Sequence, residues 1–415
     1  MELMKKLVKP TFYGPIPDDW IVCLFEDVID GFSSGMTPYR GTPEFYKGYI
    51  PWITSGELNY NIITDTHEKI TRDAIIKTNL KVLPVGTFLM AITGLEAAGT
   101  RGSCGITGIK ATTNQSCMAL FPKEGKIDSK YLYHFYVQYG DELAFKFCQG
   151  TKQQSYTGRI VKILPINLPP TLTEQKAIAT ALSDVDALIF SLEQTITKKK
   201  AIKQGAMQIL FKEHDTWESK RVSEFGFDIS DGNYSAKYPK SSEFKESGVC
   251  FIRAKNIKNM TVNEDDMRFI SQELHSELKK GHLKKDDILI TNRGDIGQTA
   301  LVPDKFEGSN INAQIVRINT NNKLNKLYLF YFLRLNSTQN KIQNMQTGSA
   351  LKQLPVNRLN QIEIYYPSTK TQTLIGETLL DIDKEILSIE TKKEKYQAIK
   401  QGMMQELLTG KTRLV

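Results

Sequence analysis

The sequence predicts an α+β protein built from two similar α/β domains, each followed by a long helix. Three observations support this fold class. The 415-residue chain repeats itself at an offset of roughly 200 residues. Short runs rich in Ile, Val, Phe and Tyr alternate with clusters of Gly, Asn and Asp, which is typical of strands joined by turns. Two long segments without an internal proline carry apolar residues at the spacing of a coiled-coil seam.

The internal repeat defines the domain organisation. The run AIKQGAMQIL at 201–210 recurs as AIKQGMMQEL at 398–407, and 18 of the 41 positions aligned across the two closing helices are identical. Trp20 aligns with Trp217, and we expect both to anchor their cores. The chain therefore divides into a globular domain, its helix, a second globular domain and its helix: 1–170, 171–212, 213–366 and 367–415.

Matched runs within the globular parts predict matched strands. IPWI at 50–53 aligns with VCFI at 249–252, and both are short, apolar and flanked by polar residues. FLMAI and ILIT each precede a tight turn, at Gly94 and Gly294. Runs of this length and composition indicate buried strands.

The aromatic runs YLYHFY at 131–136 and YLFYFL at 328–333 predict an amphipathic helix in each domain. The glycines between 99 and 108 lack the spacing of a dinucleotide-binding loop. We expect that segment to be a flexible surface loop.

Each closing helix carries a seam of apolar residues separated alternately by four and three positions. We expect Thr173 to cap the first helix, which at ~1.5 Å per residue extends about 55 Å. Two alternatives remain open: the helices pair with each other, which their matched patterns favour, or each packs separately on its own domain. The seam positions are Ile178, Leu182, Val185, Ile189, Leu192, Ile375, Leu379, Ile382, Ile386 and Ile389.

The sequence shows no catalytic or metal-binding motif, which favours a binding protein. The net charge of +8 is spread evenly, so the chain has no basic arm. Five cysteines without a CxxC pair predict a reduced, cytoplasmic protein. No apolar run is long enough for a transmembrane helix. The five histidines form no metal-binding pair, and GKT at 410–412 follows a helix and lacks the first glycine of a phosphate loop.

On these residues the chain resembles the specificity subunit of type I restriction-modification systems. The resemblance spans the whole chain. It rests on the tandem modules, on IPDDW at 16–20, on Thr37-Pro38, on the strand–glycine elements at Gly94 and Gly294, and on TGSALKQL at 347–354. The first module departs from the last of these motifs, and the second helix begins with YPSTKTQ where the first has PPTLTEQ.

The resemblance implies a non-catalytic subunit. Each globular part would be a target recognition domain that reads one half of a bipartite, asymmetric double-stranded DNA target. The two helices would pair antiparallel as a spacer with pseudo-two-fold symmetry, and would dock two modification (methyltransferase) subunits. Separate restriction subunits would complete the complex. S-adenosylmethionine, ATP and Mg are expected on these partners, and none in this chain.

Base edges are read by polar and cationic side chains, and phosphates by cations. We therefore take polar residues that follow predicted strands, or lie in matched loops, as candidate DNA contacts. They are Tyr39, Arg40, Thr54, Ser55, Glu57, Arg101, Lys152, Gln153, Gln154, Tyr234, Lys237, Arg253, Lys255, Asn256, Arg293, Lys352 and Gln353. The lysines at 198–200, 392, 393 and 395 either contact phosphate or form a solvated helix face.

Two other functions remain alternatives. A coiled-coil adaptor that binds only proteins would show weak DNA binding with little salt dependence. A fused methyltransferase or nuclease would need cofactor glycines and an Asn-Pro-Pro-aromatic motif, which the sequence lacks.

Overall fold

The computed structural model describes residues 8–11, 13–95, 101–148, 154–234, 238–348 and 352–414. The chain forms two compact units. Unit 1 comprises residues 1–193 and 391–415, and unit 2 comprises residues 194–390. Each unit therefore contains one globular domain and a segment of each long helix. The prediction of two α/β domains, each followed by a long helix, is confirmed.

Unit 1 begins with a globular domain of twelve described strands and four described helices. Its strands are β1 Val8–Thr11, β2 Gly14–Pro17, β3 Ile21–Leu24, β4 Ile29–Ser34, β5 Ile50–Ile53, β6 Asn61–Ile63, β7 Glu68–Ile70, β8 Phe88–Ala91, β9 Cys104–Thr107, β10 Thr112–Thr113, β11 Cys117–Pro122 and β12 Pro165–Leu168. Its helices are α1 Phe25–Val28, α2 Arg72–Thr78, α3 Ser129–Phe147 and α4 Gly158–Lys162, and the long helix α5 Leu172–Leu210 follows.

A five-stranded sheet in the order β4-β11-β8-β9-β6 forms the centre of unit 1. A three-stranded sheet, β10-β5-β7, and the pairs β12-β3 and β1-β2 complete it. In the core, α3 packs against the main sheet through Tyr136, whose ring meets that of Phe88 in β8. Tyr131 of α3 and Trp20 are fully buried in the same core. The core-anchor prediction for Trp20 is confirmed.

Unit 2 repeats this arrangement with somewhat fewer strands. Its strands are β13 Glu218–Arg221, β14 Asp228–Asp231, β15 Val249–Ile252, β16 Ile257–Lys258, β17 Thr261–Val262, β18 Arg268–Ile270, β19 Ile288–Thr291, β20 Thr299–Leu301, β21 Asn310–Ile311, β22 Ile315–Asn319 and β23 Glu363–Tyr366. Its helices are α6 Gln272–Glu277, α7 Lys326–Leu333, α8 Asn336–Asn344 and α9 Val356–Leu359, and the long helix α10 Thr369–Leu407 follows.

Four strands of the main sheet and all three strands of the small sheet correspond between the units, and β6 has no counterpart in the main sheet of unit 2. The order β14-β22-β19-β20 corresponds to β4-β11-β8-β9, and β18-β15-β21 corresponds to β7-β5-β10. In both units the middle strand of the small sheet has one parallel neighbour, β10 or β21. The weak sequence repeat outside the helices therefore reflects a repeated fold.

Within each unit, the segments of α5 and α10 run antiparallel. In unit 2, Lys199 pairs with Glu385 at 2.8 Å and Lys203 pairs with Asp383 at 2.6 Å. Since the residue number of the partner in α10 falls as the number in α5 rises, the two helices run in opposite directions. Unit 1 shows the same pattern, because Glu193 meets Lys393 and Asp186 meets Lys400.

Both alternatives for the seam hold in part. Ile178 and Leu182 are fully buried in the core of unit 1, together with Leu407 from α10. Ile375 and Leu379 occupy the corresponding place in the core of unit 2. The opening turns of each long helix thus pack on their own domain and also face the other helix. Further along, Val185, Ile189, Leu192, Ile382 and Ile389 are half-buried and Ile386 is buried.

Two local predictions are wrong. Thr171, not Thr173, caps α5, because its hydroxyl accepts a hydrogen bond from the Glu174 amide at 3.2 Å. The glycine-rich run predicted as a surface loop contains the buried strand β9. Gly102 lies so close to α3 that a Cβ there would be 2.4 Å from the Asp141 nitrogen. Glycine is therefore needed at this position because the chain packs closely against α3, and the segment is not a flexible surface loop.

Candidate nucleic-acid interface

In unit 1, three loops meet at one end of the main sheet. The crossing loop (35–40) follows β4, the glycine turn (92–95) follows β8, and the tip turn (114–117) precedes β11. The Ile92 amide donates to the Ser116 carbonyl at 2.9 Å. These three loops form what we call the loop platform of unit 1.

Unit 2 builds its loop platform in the same way. Its crossing loop begins at Gly232, its glycine turn covers 292–295 and its tip turn covers 312–315. The Asn292 amide donates to the Gln314 carbonyl at 2.9 Å, which matches the bond between Ile92 and Ser116 in unit 1. Both tip turns also begin with an Asn whose side chain accepts from the backbone two residues later, as Asx turns do.

In each unit a glycine allows the crossing loop to lie against the tip turn or the residue just before it. A Cβ on Gly35 would lie 1.9 Å from the Thr113 carbonyl oxygen, and one on Gly232 would lie 2.4 Å from the Asn312 carbonyl carbon. Both contacts are with backbone, which cannot move aside as a flexible side chain can. Only glycine allows this approach.

The crossing loop of unit 1 is held by side chains as well. The Arg40 guanidinium donates to both carboxylate oxygens of Glu68 and lies 4.2 Å from the centre of the Tyr46 ring. The bond from Arg40 holds the pKa of Glu68 below its usual value. Tyr39, beside it, is 74% exposed. The loop thus presents an exposed tyrosine and a fixed, half-exposed guanidinium.

A short turn after β5 contains the candidates Thr54, Ser55 and Glu57. The buried Glu57 carboxylate accepts bonds from the Thr54 amide at 2.7 Å, from the Thr54 hydroxyl at 2.8 Å and from the His67 amide at 2.8 Å. Thr54 and Ser55 are half-buried. In this structure Glu57 caps the turn and points away from solvent.

Asn256 has the same position in unit 2. It is buried, its carbonyl oxygen accepts from the Arg253 amide at 3.1 Å, and its NH₂ group donates to the Asn263 and Asp265 carbonyls. In unit 2, Arg253 therefore occupies the cap position that Thr54 holds in unit 1.

The cations of this turn in unit 2 share one carboxylate. The ammonium of Lys255 and the guanidinium of Arg253 both bond to Asp266. Together they hold the pKa of Asp266 below its usual value, Lys255 contributing most. Lys255 is half exposed at its side chain, so its charge remains accessible to a phosphate.

Three candidates from distant segments meet on the platform of unit 2. The Arg293 guanidinium lies 4.7 Å from the centre of the Tyr234 ring and donates to the Gln353 side-chain oxygen at 2.9 Å. Arg293 and Gln353 also form a backbone bridge, and Lys352 beside them is exposed. In unit 1, the matching bridge joins Thr93 to Ser155.

The remaining candidates lie around these platforms or outside the described residues. Arg101 bonds to Asp141 at 2.9 Å and lies over the Phe145 ring. The Gln154 carbonyl accepts from the Leu95 amide, which ties it to the glycine turn. Lys152, Gln153 and Lys237 lie outside the described residues.

The platform of unit 1 also exposes a pair that the candidate set lacks. Gln115, the second residue of the tip turn, is exposed, and its side-chain oxygen accepts a bond from the Thr37 hydroxyl. The one sequence signal was a polar TTNQS run between two apolar runs. That signal does not reveal that Thr37, 78 positions earlier, reaches Gln115.

Three of the six lysines at the helix break have ion-pair partners. Lys199, Lys200 and Lys393 form ion pairs with glutamates of the other long helix. In the described part of the chain, His, Cys, Asp and Glu side chains do not gather in threes as a metal site would require. No described helix combines the length and apolar character needed to cross a membrane.

These platforms can bind a polyanion whose edges carry hydrogen-bonding groups. Arginine and glutamine side chains fixed by neighbours present donors in a set direction, as base recognition requires. Tyr39, Lys255 and Lys352 add exposed groups suited to backbone contacts.

Known proteins of one family are similar to this chain both in sequence and in fold. The type I restriction modification DNA specificity domain matches residues 17–204 and 214–401. Two curated relatives from Methanocaldococcus jannaschii are similar over nearly their full length. The type I restriction enzyme MjaVIII specificity subunit is 26% identical, covering 96% of this chain and 94% of that protein. The putative MjaX specificity subunit is 27% identical, covering 98% and 96%.

Among solved structures, the type I restriction-modification S subunit from M. genitalium has a similar fold. Its TM-score is 0.64 at 16% identity, covering 94% of this chain and 96% of that one. At this identity, the likeness concerns the fold alone.

Proposed function

Because the chain belongs to the family of type I restriction-modification DNA specificity proteins, we propose that it reads a bipartite, asymmetric DNA target, one half-site per unit. As a specificity subunit, the chain supplies sequence recognition, and the chemistry belongs to its partners.

The repeated loop platform is the observation that carries this proposal. Both units place the same three loops at the same end of the main sheet, and both secure them with a glycine that tolerates no side chain. The side chains on the two platforms differ: half-buried Thr37 and exposed Gln115 in unit 1, exposed Tyr234 and half-buried Arg293 in unit 2. Two matched loop platforms that carry different side chains suit a DNA target whose two half-sites differ in sequence.

The candidate contacts divide by their surroundings. Arg293, fixed between Tyr234 and Gln353, is suited to a base edge, because its geometry is set before DNA arrives. Exposed Lys255 and Lys352 suit phosphates. Other candidates retained for the surface are Tyr39, Arg40, Ser55, Thr54, Arg101, Gln154 and Arg253. Glu57 and Asn256 are buried caps, so we assign them support of the loops that carry the contacts.

We place the docking of two modification subunits on the paired helices. Their outer faces expose apolar side chains, including Phe190, Leu374 and Leu387, that neither domain core covers. S-adenosylmethionine, ATP and Mg belong, in this proposal, to the modification and restriction subunits.

Exchange of one module tests the proposal. We would co-express the chain with its modification subunits and map methylated adenines across a genome, before and after replacing residues 213–366 with the corresponding module of a relative. The expected result is a bipartite motif in which one half changes and the other, with the spacing, stays the same.

The unexchanged chain and a chain with residues 13–168 replaced are the matched controls. Exchange of the first module should change the opposite half. A change in both halves after either exchange would contradict reading by independent units. Salt-insensitive, weak DNA binding by the whole complex would instead favour the protein-binding adaptor.

A further inference from the structure

The exposed Gln115 on the platform of unit 1 has a geometry that suggests one base. We infer that Gln115 reads an adenine in the half-site bound by unit 1, and that Thr37 is the residue that positions it. This inference rests on the proposed function and adds to it the chemistry of one contact.

The backbone beneath Gln115 is fixed on both sides. The Asn114 amide donates to the Ile53 carbonyl at 2.9 Å, and the Asn114 side chain accepts from the Ser116 amide at 3.0 Å. The Cys117 amide closes the tip turn onto the Asn114 carbonyl at 3.3 Å. Gln115 is the residue that this turn directs outward.

The crossing loop that carries Thr37 is fixed equally well. The Met36 amide donates to the Thr113 carbonyl at 3.1 Å, and the Trp52 indole donates to the Met36 carbonyl at 3.1 Å. The Tyr46 hydroxyl donates to the Pro38 carbonyl at 2.5 Å. Thr37 therefore stands between two residues whose carbonyls are already bonded.

The bond between Thr37 and Gln115 sets the direction of the amide. The hydroxyl donates to the side-chain oxygen of Gln115, which keeps a second lone pair. None of the described residues accepts a bond from the Gln115 NH₂ group. An exposed side chain therefore keeps one acceptor position and a donor group unused side by side, which is the pattern that pairs with the N6 amino group and N7 of adenine.

The platform of unit 2 gives a contrast. Its tip turn has Ala313 where unit 1 has Gln115, and Ala313 is buried. The residue two positions after the crossing glycine is Tyr234 where unit 1 has Thr37, and Tyr234 supports Arg293. The amide pair is therefore specific to unit 1, and the adenine should belong to one half-site only.

The test uses the full complex with its modification subunits and a duplex that carries its mapped target. Gln115→Ala should raise the Kd about 5- to 150-fold, the range of one bidentate base contact, and relax one A·T position in one half of the methylation motif. Replacing the read adenine with 7-deaza-adenine, which lacks the N7 acceptor, should weaken binding of the unaltered complex but not of the variant.

Thr37→Val and Thr37→Ser separate positioning from contact. Valine keeps the shape of threonine and loses the hydroxyl, so Thr37→Val should weaken DNA binding less than Gln115→Ala does while relaxing the same position of the motif. Thr37→Ser keeps the hydroxyl and should bind DNA as the unaltered complex does. Gln314→Ala, the exposed glutamine of the other tip turn, is the control and should leave the first half-site unchanged.

The outcomes distinguish the two levels of the proposal. An unaltered complex that yields no bipartite motif would overturn the proposed function. A bipartite motif that Gln115→Ala leaves intact, or that relaxes at a position other than A·T, would overturn only the adenine contact.

Discussion

Unit 1 and unit 2 hold the same loops in the same places, but the side chains on those loops differ. In unit 1 a threonine hydroxyl orients a glutamine amide. In unit 2 a tyrosine ring and a glutamine orient an arginine. The shared parts are backbone contacts and a glycine, whereas the variable parts are exposed. A platform of this kind can change what it binds without changing how it folds.

The units differ also where the globular domain meets the long helices. In unit 2 the Tyr331 hydroxyl donates to Asp383 at 2.7 Å, and Asp383 pairs with Lys203. In unit 1 the corresponding group on the aromatic helix is His134. Its Nδ1 is 4.0 Å from Asp186, and its Nε2 is 3.0 Å from the Ser183 hydroxyl. One unit thus uses a neutral phenol at this junction and the other uses a titratable ring.

The largest expected effect comes from filling the crossing glycine. Gly35→Ala and Gly232→Ala should each destabilise their own unit by about 3 kcal/mol or more, because the new methyl would overlap backbone atoms in a packed site. Gly35→Ala should cost more, since its overlap is closer. Amide hydrogen exchange of each main sheet measures the two effects separately.

Gly158→Ala serves as the control for the glycine series. No atom lies within 4 Å of its Cβ position, and it begins α4. It should leave exchange in both sheets unchanged. If Gly35→Ala behaved like Gly158→Ala, the crossing loop would not be held as described.

The ion pairs at the junction should differ in strength. Asp383→Ala leaves Lys203 and the Tyr331 hydroxyl without their acceptor in a site where both charged side chains are largely buried, so a loss of about 3 kcal/mol is expected. Asp186→Ala should cost about 1 kcal/mol, because the Asp186 side chain is 34% exposed. Hydrogen exchange of α7 measures the effect of Asp383→Ala, and hydrogen exchange of α3 measures the effect of Asp186→Ala.

Asp381→Ala is the control for this pair of variants. Its side chain is 72% exposed and bonds only to neighbouring Lys384 among the described residues. Asp381→Ala should change hydrogen exchange in neither α7 nor α3. Co-purification of the modification subunits with each variant then tests the docking role: loss with Asp383→Ala but not with Asp381→Ala supports it. Equal stability of the Asp383 and Asp186 variants would contradict the difference between the junctions.

The fold could be predicted from the sequence because its signals are local. Apolar runs, glycine turns and the four-three spacing of the seam each lie within a few residues of the element that they form. The repeat gives most of these patterns a second time in the same chain.

The residues of the candidate site were harder to predict than the fold. Glu57 and Asn256 are polar residues after a strand, as a DNA contact would be, yet they turn inward to partners that lie several residues away, such as His67 and Asn263.

Pairs between distant segments were beyond sequence reasoning. Arg293 and Gln353 were both proposed, but nothing in the sequence joined them across 60 positions. Gln115 was missed because its role depends on Thr37, whose hydroxyl reaches it only once the crossing loop has folded over the tip turn. Residue type indicates which side chains can read a base, and tertiary contacts decide which of them are held in position to do so.

The last expected effect is a loss of stability of unit 1 in acid. Burial, together with nearby Lys400 and Lys130, lowers the pKa of His134 to about 3, against about 6.5 for a free histidine. Between these values the unfolded chain binds a proton that the folded unit does not. Unit 1 should therefore lose up to about 1.4 kcal/mol per pH unit as the pH falls below 6.5. Burial raises the pKa of Tyr331, which stays neutral throughout, so the matching site in unit 2 contributes no such loss.

His134→Tyr would give unit 1 the junction of unit 2. The Asp186 carboxylate could then accept a phenol hydroxyl, as Asp383 does, and the extra acid sensitivity of unit 1 should disappear while its stability at pH 7.5 stays nearly the same. Hydrogen exchange of α3, corrected for the intrinsic rate at each pH between 4.5 and 7.5, measures the slope, with α7 as the internal reference. If the slopes for α3 and α7 already agree before the substitution, His134 is not the source of any difference between the units. If they differ and His134→Tyr leaves them so, another buried group in unit 1 carries the proton.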